Sequence, residues 1–302
     1  MTGLVAAPID PLAPMRTPGE YEDALVVVRR RSGDGPAPAS RVATEHFRVD
    51  TRDGRLTVTH RLRPDEVDDD LAGLLVDELF GPGWVRGPEL FERLFTGVVR
   101  SLAPDPLDAW ELFYRNTTAR LEALRTARGT EVAAAHGCIA GYAPVYERAE
   151  ALVPAGSVLE LGSCFGFLSL RLAGLGHDVT ASDVAAGTVR LLAAVAPRLG
   201  VRLTTVLADA ARLPLDDGCA DTVLAIHLLE HVDADHGAAV LHEAVRCARR
   251  RVVVAVPLED EADESFGHVR TVDLDDLRAW GRASGLRYDV AEHHGGWLVL
   301  DR

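Results

Sequence analysis

The sequence contains no lysine and no glutamine, and Asn116 is its single asparagine. All 32 basic residues are therefore arginines. The absence of lysine excludes pyridoxal-phosphate and aldolase chemistry, since both form a Schiff base with a lysine amine. It also excludes P-loop and kinase-type sites, in which a lysine contacts the phosphates. Histidines and carboxylates remain as the groups that could accept a proton near neutral pH.

Cysteines are few and far apart in the chain. The four are Cys138, Cys164, Cys219 and Cys247, and none belongs to a CxxC pair. Their spacing predicts neither a zinc ribbon nor a disulfide framework. Outside position 164, we expect them to be small packing residues.

Basic charge is also in deficit, because 32 basic residues face 46 acidic ones and the formal net charge is −14. Such a chain is poorly suited to nucleic acid and to anionic membrane surfaces, which attract basic proteins. The first residues lack the positive segment of a signal peptide, and no apolar run is long enough to span a membrane. We therefore expect a soluble, cytoplasmic protein without nucleic-acid or membrane partners.

The first half of the chain predicts an α+β accessory region. Residues 1–20 are proline-rich and are expected to be disordered, and the accessory region is expected over 21–150. Three strand-like runs and an Asp53-Gly54 turn predict a three-stranded antiparallel element, with a mobile loop after the first run. These runs are 24–31, 41–50 and 55–62, and the loop is 32–40. Helical periodicity follows at 64–80, 88–102, 106–127 and 131–153.

The second half, 151–302, alternates short β-branched runs with alanine-rich helical segments. Its predicted strands are 157–162, 177–183, 202–209, 221–232 and 250–258, with one or two more in the tail. Helical segments are predicted between them at 167–176, 186–200, 236–248 and 274–285. This alternation is typical of an α/β fold with a mostly parallel sheet covered by helices on both faces.

Acidic residues and glycines stand at the ends of the predicted strands, where ligands bind in such sheets. The first strand ends in Glu160, followed by Gly162 and Gly166, and the next two end in Asp183 and Asp209. Glycines permit a tight turn and close helix packing, while a carboxylate can bind both hydroxyls of a ribose. The series predicts an adenosine-containing ligand. A carboxylate within the loop would repel a phosphate, so a cationic ligand is favoured over a dinucleotide.

These motifs resemble class I S-adenosylmethionine-dependent methyltransferases over residues 157–300. The resemblance also includes the segments LADA (207–210), LPL (213–215) and HLLEHV (227–232). It implies a Rossmann-like methyltransferase sheet that binds S-adenosylmethionine and releases S-adenosylhomocysteine. The departure is Cys164, where the family usually has a glycine, and a positive φ there would cost a side chain about 1–2 kcal/mol.

The resemblance also implies a role for each matching residue. Glu160 and the loop of Gly162, Ser163, Cys164 and Gly166 would hold the methionine moiety. Asp183 would bind the ribose, and Asp209 with the backbone of Ala210 would bind the adenine. His227 and Leu228 would line the pocket beside the transferred methyl group.

A closer resemblance is to the mycofactocin oligosaccharide methyltransferase family. It rests on ELGSCFGFLSLRL (160–172), VPLEDEADESFGHVRTVDLDDL (256–277), EHHGGWLVLD (292–301) and LFYRNTTARL (112–121). This resemblance implies O-methylation of a hydroxyl on the oligoglucose chain of mycofactocin, a redox cofactor of actinobacteria, and thus a glycosylated small-molecule acceptor. The alternatives are a methyltransferase of a quinone, acid or polyketide, or a binding protein that retains the fold. The accessory region could cap the acceptor cleft, bind a partner or form a homodimer.

A sugar hydroxyl is a weak nucleophile, so a general base is expected near the methyl group. The candidates are Glu230 with His231, and His268 oriented by Arg270 or a carboxylate. A third candidate is the His293-His294-Gly-Gly-Trp297 segment, whose tryptophan could stack on a sugar or belong to the core. We expect no metal, and the acidic run 259–264 is most simply a solvated loop. A site built from Glu230, His231 and that run is the alternative.

Overall fold

The structure is a computed structural model that describes residues 7–31, 40–126, 138–262 and 267–302. It divides the chain into two compact units, Met1–Ala140 and Gly141–Arg302. This division falls somewhat before the boundary at 150 that the sequence suggests. Most of the predicted loop at 32–40 and the beginning of the stretch 131–153 lie outside the described residues.

The N-terminal unit contains a five-stranded mixed sheet in the order β1-β2-β5-β4-β3. The strands are β1 (Glu20–Glu22), β2 (Val26–Arg30), β3 (Val42–Ala43), β4 (Phe47–Arg52) and β5 (Arg55–His60). The predicted hairpin is confirmed, because β4 and β5 pair antiparallel around Asp53 and Gly54, whose φ angles are 50° and 76°. The prediction of a three-stranded antiparallel element is wrong, since β2 pairs parallel to β5 and two short strands extend the sheet.

Helices complete this unit. They are α1 (Leu71–Leu75), which continues as π-helix over Val76–Phe80, α2 (Pro88–Arg100) and α3 (Pro106–Thr126). The helix predicted from Pro64 begins instead as a short 3₁₀ turn and becomes α-helical only at Leu71. Within the predicted disordered segment 1–20, the carbonyls of Ala7 and Pro11 accept hydrogen bonds from Arg93 (2.8 Å) and Trp110 (2.9 Å).

The C-terminal unit is built on a seven-stranded sheet in the order β11-β12-β10-β9-β6-β7-β8. The strands are β6 (Ser157–Leu161), β7 (Asp178–Asp183), β8 (Thr204–Leu207), β9 (Ala220–Ile226), β10 (Ala248–Val256), β11 (Arg287–Glu292) and β12 (Gly296–Asp301). The helices are α4 (Cys138–Leu152), α5 (Phe167–Gly174), α6 (Ala186–Val195), α7 (Ala234–Cys247) and α8 (Leu274–Ser284). Among these seven strands, β12 runs opposite to the other six.

Both faces of this sheet are buried, which explains the continuous apolar runs in its strands. Along β10, Val252 and Val254 pack in one core cluster, whereas Val253 and Ala255 pack in the other. The α/β prediction with helices on both faces is thus confirmed. Among the described helices, none combines the length and apolar character needed to cross a bilayer.

Candidate functional site

The strand order reverses direction at the centre of the seven-stranded sheet. From β6 the chain moves outward through β7 and β8, and it then returns to β9 on the other side of β6. Loops that leave the carboxyl ends of β6 and β9 therefore diverge and leave a crevice between them. Such a crevice is the usual ligand site of doubly wound sheets. All of the predicted cofactor residues lie at or just after the carboxyl ends of β6, β7, β8 and β9.

The loop between β6 and α5 depends on two glycines. Gly162 and Gly166 have φ angles of 67° and 76°, which side chains seldom adopt. A Cβ at Gly166 would lie 2.4 Å from Leu192, and one at Gly162 would lie 2.7 Å from Leu228. The glycines thus let α6 and the segment after β9 approach this loop closely.

Cys164 occupies the left-handed region as well, with a φ of 49°. Its backbone N–H donates to Oδ2 of Asp183 at 2.8 Å, and the other carboxylate oxygen accepts from the N–H of Ala185 at 2.8 Å. Asp183 therefore fixes the loop after β6 to the end of β7. A carboxylate has about four acceptor sites, so these two hydrogen bonds leave capacity for two ligand hydroxyls.

Glu160 is buried beneath the loop, with 5% of its surface exposed. Its carboxylate accepts a hydrogen bond from the hydroxyl of Ser169 on α5. Burial raises the pKa of Glu160 to about 7, although the hydrogen bonds from Ser169 oppose this shift. Glu160 thus links the end of β6 to the helix that follows the loop.

Asp209 lies after β8 and is partly exposed. Its Oδ1 accepts from the N–H of Ala211 at 2.9 Å and lies 2.9 Å from Nε2 of His236 on α7. Ala210, between them in sequence, is half-buried. The contact with His236 was missed in the sequence, because 27 residues separate the two side chains and no periodicity connects a strand end to a later helix.

Polar side chains cluster where β9 ends. His227 has a φ of 51°, and its Nδ1 lies 3.8 Å from Oε1 of Glu230. Its ring packs against Tyr142 with centroids 5.5 Å apart. Burial lowers the pKa of His227 to about 4, so this ring is neutral at neutral pH.

Glu230 is the most deeply buried group of the cluster, with 1% of its surface exposed. Neither carboxylate oxygen has a hydrogen-bond partner within the described residues. Burial raises the pKa of Glu230 to about 7. A buried carboxylate without hydrogen bonds is costly and is commonly found at functional sites.

His231 and His268 face each other beside Glu230, with ring centroids 4.9 Å apart. Nδ1 of His268 lies 2.8 Å from Oε2 of Glu259, and Nδ1 of His231 lies 3.2 Å from the carbonyl oxygen of Gly267. Burial lowers the pKa of His231. The structure thus brings together the three predicted catalytic residues, and we call Glu230, His231 and His268 the acceptor cluster.

For two residues of this region, the structure decides between alternatives that the sequence left open. The orienting partner of His268 is the carboxylate of Glu259, whereas Nε of Arg270 donates to the carbonyl of Leu229 at 3.0 Å. Trp297 is only 1% exposed, and its indole N–H donates to the carbonyl of His293 at 2.8 Å. Trp297 is therefore a core residue, and it cannot stack on a sugar in this conformation.

One apolar residue at the site was not predicted. Val184 follows Asp183 directly and is 74% exposed, which is unusual for a valine next to a buried strand. The signal was present in the sequence as an apolar residue immediately after the strand-end acid. A single apolar residue has no periodicity of its own, so the sequence alone does not distinguish it from the end of the strand.

The backbone strain at Cys164 leads to a stability prediction. Cys164→Gly removes the left-handed strain but makes the unfolded chain more flexible, so the free energy of unfolding should change by about 0 to +1 kcal/mol. Cys164→Val should lower it by about 1–2 kcal/mol, because β-branched residues tolerate this region least. Urea unfolding measures both changes, with Cys164→Ala as the variant that keeps the strain. Equal stability of the valine and glycine variants would contradict the left-handed conformation.

The comparison with known proteins agrees with this geometry. Residues 159–256 match a family model described as a methyltransferase domain. This segment runs from β6 to the end of β10 and includes the loop 162–166, Asp183, Asp209 and Glu230. Among curated proteins, none is similar enough to count as a relative.

Two solved structures illustrate the similar fold. The magnesium protoporphyrin IX methyltransferase of Synechocystis PCC 6803, solved with bound S-adenosylhomocysteine, is 18% identical, with a TM-score of 0.47 over 61% of this chain and 93% of that chain. A SAM-dependent methyltransferase of Methanosarcina mazei is 16% identical, with a TM-score of 0.44 over 53% of this chain and 97% of that chain. The C-terminal unit has the Rossmann-like class I fold. It carries a methyltransferase domain, for which S-adenosylmethionine is the cofactor.

Proposed function

We propose that this chain is an S-adenosylmethionine-dependent O-methyltransferase whose acceptor is a sugar hydroxyl of the oligoglucose chain of mycofactocin. The observation that carries the methyl-transfer part is the position of the acceptor cluster. Its residues Glu230 and His231 follow β9, while the glycine loop follows the adjacent strand β6, and Leu228 lies against Gly162. The sugar acceptor is supported by the resemblance of the segments 112–121, 160–172, 256–277 and 292–301 to the mycofactocin oligosaccharide methyltransferases.

The residues after β6, β7 and β8 fit the cofactor. The glycine loop places backbone N–H groups at the carboxyl end of β6, since Gly162 and Gly166 permit its left-handed conformation and its close packing against Leu228 and Leu192, and Asp183 has acceptor capacity for ribose hydroxyls. Exposed Val184 offers an apolar surface to the adenine, and Asp209 with the backbone of Ala210 is assigned to its polar edge. When bound, S-adenosylmethionine supplies an electrophilic methyl group on a sulfonium centre.

Glu160 would act mainly by positioning β6 and α5 on either side of the glycine loop. Its carboxylate is bound to Ser169 and lies under the loop, so it holds β6 and α5 in register around Cys164. A negative or strongly polar group at this depth also favours a cationic ligand above it. We therefore retain Glu160 among the residues that hold the methionine moiety.

On the acceptor side, the cluster of Glu230, His231 and His268 would orient and activate the hydroxyl. Both imidazoles are fixed through Nδ1, by Glu259 in one case and by the carbonyl of Gly267 in the other. Rigid placement matters because the displacement at the methyl carbon requires the hydroxyl oxygen to be in line with the sulfur. His227 and Leu228 would line the pocket between the cluster and the glycine loop.

The acceptor is tested by comparing mycofactocin species from a strain that lacks this protein with those of the parent strain by mass spectrometry. We expect the methylated oligoglucosylated species to disappear and to return when purified protein and trideuteriomethyl-labelled S-adenosylmethionine are added to the extract. An unaltered methylated pool would contradict the mycofactocin acceptor. Transfer of the label to a quinone, acid or polyketide instead would leave the methyltransferase activity in place and change only the acceptor.

A further inference from the structure

The acceptor cluster has a feature that acid–base chemistry alone does not explain. The carboxylate of Glu230 is almost completely buried, yet neither of its oxygens receives a hydrogen bond within the described residues. Removing a carboxylate from water costs several kcal/mol unless a positive charge or hydrogen bonds replace the water. The guanidinium of Arg270 lowers the pKa of Glu230 through its charge, but less than burial raises it. Arg270 also gives the carboxylate no hydrogen bond, because its Nε is bound to the carbonyl of Leu229 and its buried Nη2 has no hydrogen-bond partner within the described residues.

The two histidines of the cluster are arranged as metal-binding histidines usually are. Such a histidine donates one ring N–H to a carboxylate or a backbone carbonyl, which fixes the ring and directs the other nitrogen to the metal. Nδ1 of His268 is placed to donate to Glu259 at 2.8 Å, and Nδ1 of His231 is placed to donate to the carbonyl of Gly267 at 3.2 Å. Those bonds fix the tautomer in which Nε2 of each ring carries the lone pair.

The three side chains are also close enough to share an ion. One possible ligand atom from each of Glu230, His231 and His268 lies within 4.8 Å of the other two. Zinc binds imidazole nitrogen and carboxylate oxygen at about 2.0–2.2 Å, so ligand atoms around an ion are about 3–3.5 Å apart. Closing this difference requires a shift of at most about 1.5 Å, which exposed His231 can make through a change in its side-chain torsions.

We propose that Glu230, His231 and His268 bind one divalent transition-metal ion, with Glu259 as the group that orients His268. One carboxylate and two imidazoles suit zinc or manganese, and they leave coordination positions open. The metal site would explain why the buried carboxylate of Glu230 has no hydrogen-bond donor among the described residues.

The ion would deepen the proposed function, on which this part rests. An acceptor hydroxyl that coordinates a divalent cation loses its proton to water at a lower pH than a free hydroxyl does. Two neighbouring oxygens of a sugar could bind at the open coordination positions of the ion, and this would orient the sugar. An acceptor with one isolated hydroxyl group cannot bind in this way. Metal binding itself does not depend on the identity of the acceptor.

The test is a titration of the full-length, EDTA-treated protein with Mn²⁺, in which electron paramagnetic resonance measures the unbound ion. We expect one equivalent to bind to the unaltered chain and none to Glu230→Gln or His268→Ala. Glu259→Gln should weaken binding by about 10–100-fold, because only the orienting partner is lost. Zn²⁺ competition should displace the bound manganese.

The chain contains a matched control. Glu45, His46 and Glu78 form a second group of two carboxylates and one histidine within similar distances, but Glu45 is exposed, and Glu78 already accepts a hydrogen bond from the backbone N–H of His46. Glu78→Gln should therefore leave the Mn²⁺ stoichiometry unchanged. S-adenosylhomocysteine binding and circular dichroism show whether each variant is folded.

Three results would overturn the metal site: no binding of Mn²⁺ or Zn²⁺ by the unaltered chain, undiminished binding by folded Glu230→Gln, or loss of the ion in Glu78→Gln. If the unaltered chain binds no ion but binds S-adenosylhomocysteine and transfers methyl groups, the metal site fails and the proposed function stands. If the ion binds at Glu230 but no methyl transfer occurs, the proposed function fails and the metal site stands.

Discussion

Asp183→Ala is expected to weaken the binding of S-adenosylhomocysteine by about 100-fold or more. Hydrogen bonds to a charged group contribute about 1.5–3 kcal/mol each, and two ribose hydroxyls would lose theirs. The backbone N–H groups of Cys164 and Ala185 would lose their acceptors as well, so the loop would also be less well ordered. Isothermal titration calorimetry measures the change in Kd.

The control for this prediction lies on the same strand. Asp178 begins β7 at the opposite edge of the sheet and is exposed, so Asp178→Ala should leave the Kd within a factor of about two. Asp183→Asn keeps one acceptor oxygen but no charge and should give an intermediate Kd. Equal affinities of the unaltered chain and Asp183→Ala would disprove the assignment of Asp183 to the cofactor.

Glu230→Gln and His268→Ala are each expected to reduce the rate of methyl transfer by about 10²–10⁴-fold, the range found when a group that activates the nucleophile is removed. The affinity for S-adenosylhomocysteine should remain nearly constant, because neither Glu230 nor His268 is among the residues assigned to the cofactor at the ends of β6, β7, β8 and β9. Single-turnover transfer of a labelled methyl group to mycofactocin glycosides measures the rate of methyl transfer, and calorimetry measures the affinity for S-adenosylhomocysteine.

His242→Ala provides the comparison, because His242 is an exposed histidine on α7 outside the cluster. We expect its rate of methyl transfer to match that of the unaltered chain. A variant of Glu230 or His268 that folds, binds S-adenosylhomocysteine and still transfers methyl groups at the original rate would remove that residue from the acceptor side. Parallel losses of rate and cofactor affinity would point to a general disturbance of the loop after β9.

The positions of the residues proposed for the cofactor could be predicted from sequence, because each lies at the end of a strand that is recognisable by itself. Glu160, Asp183 and Asp209 stand at the ends of short β-branched runs, and the carboxyl ends of parallel strands meet at one edge of the sheet. The Asp53-Gly54 turn was predictable for a similar reason, since two adjacent residues determine its conformation. Local patterns of this kind require no knowledge of long-range contacts.

The contacts of the acceptor cluster could not be predicted in this way. Glu259 precedes His268 by nine residues, and the contact of His268 with His231 joins residues far apart in the chain, so no local pattern indicates either contact. The parallel pairing of β2 with β5 is also non-local, and strands as short as β1 and β3 have no detectable periodicity. Trp297 was ambiguous because an aromatic residue beside glycines fits both a core strand and a ligand surface.

The central claim is that the crevice between β6 and β9 binds S-adenosylmethionine, and calorimetric titration of the full-length chain with S-adenosylhomocysteine tests it most directly. We predict about one equivalent of ligand per chain with a Kd below about 100 µM, equivalent to more than about 5.5 kcal/mol of binding free energy. The absence of binding by the folded chain at that concentration would contradict the cofactor assignment and, with it, the proposed methyl transfer.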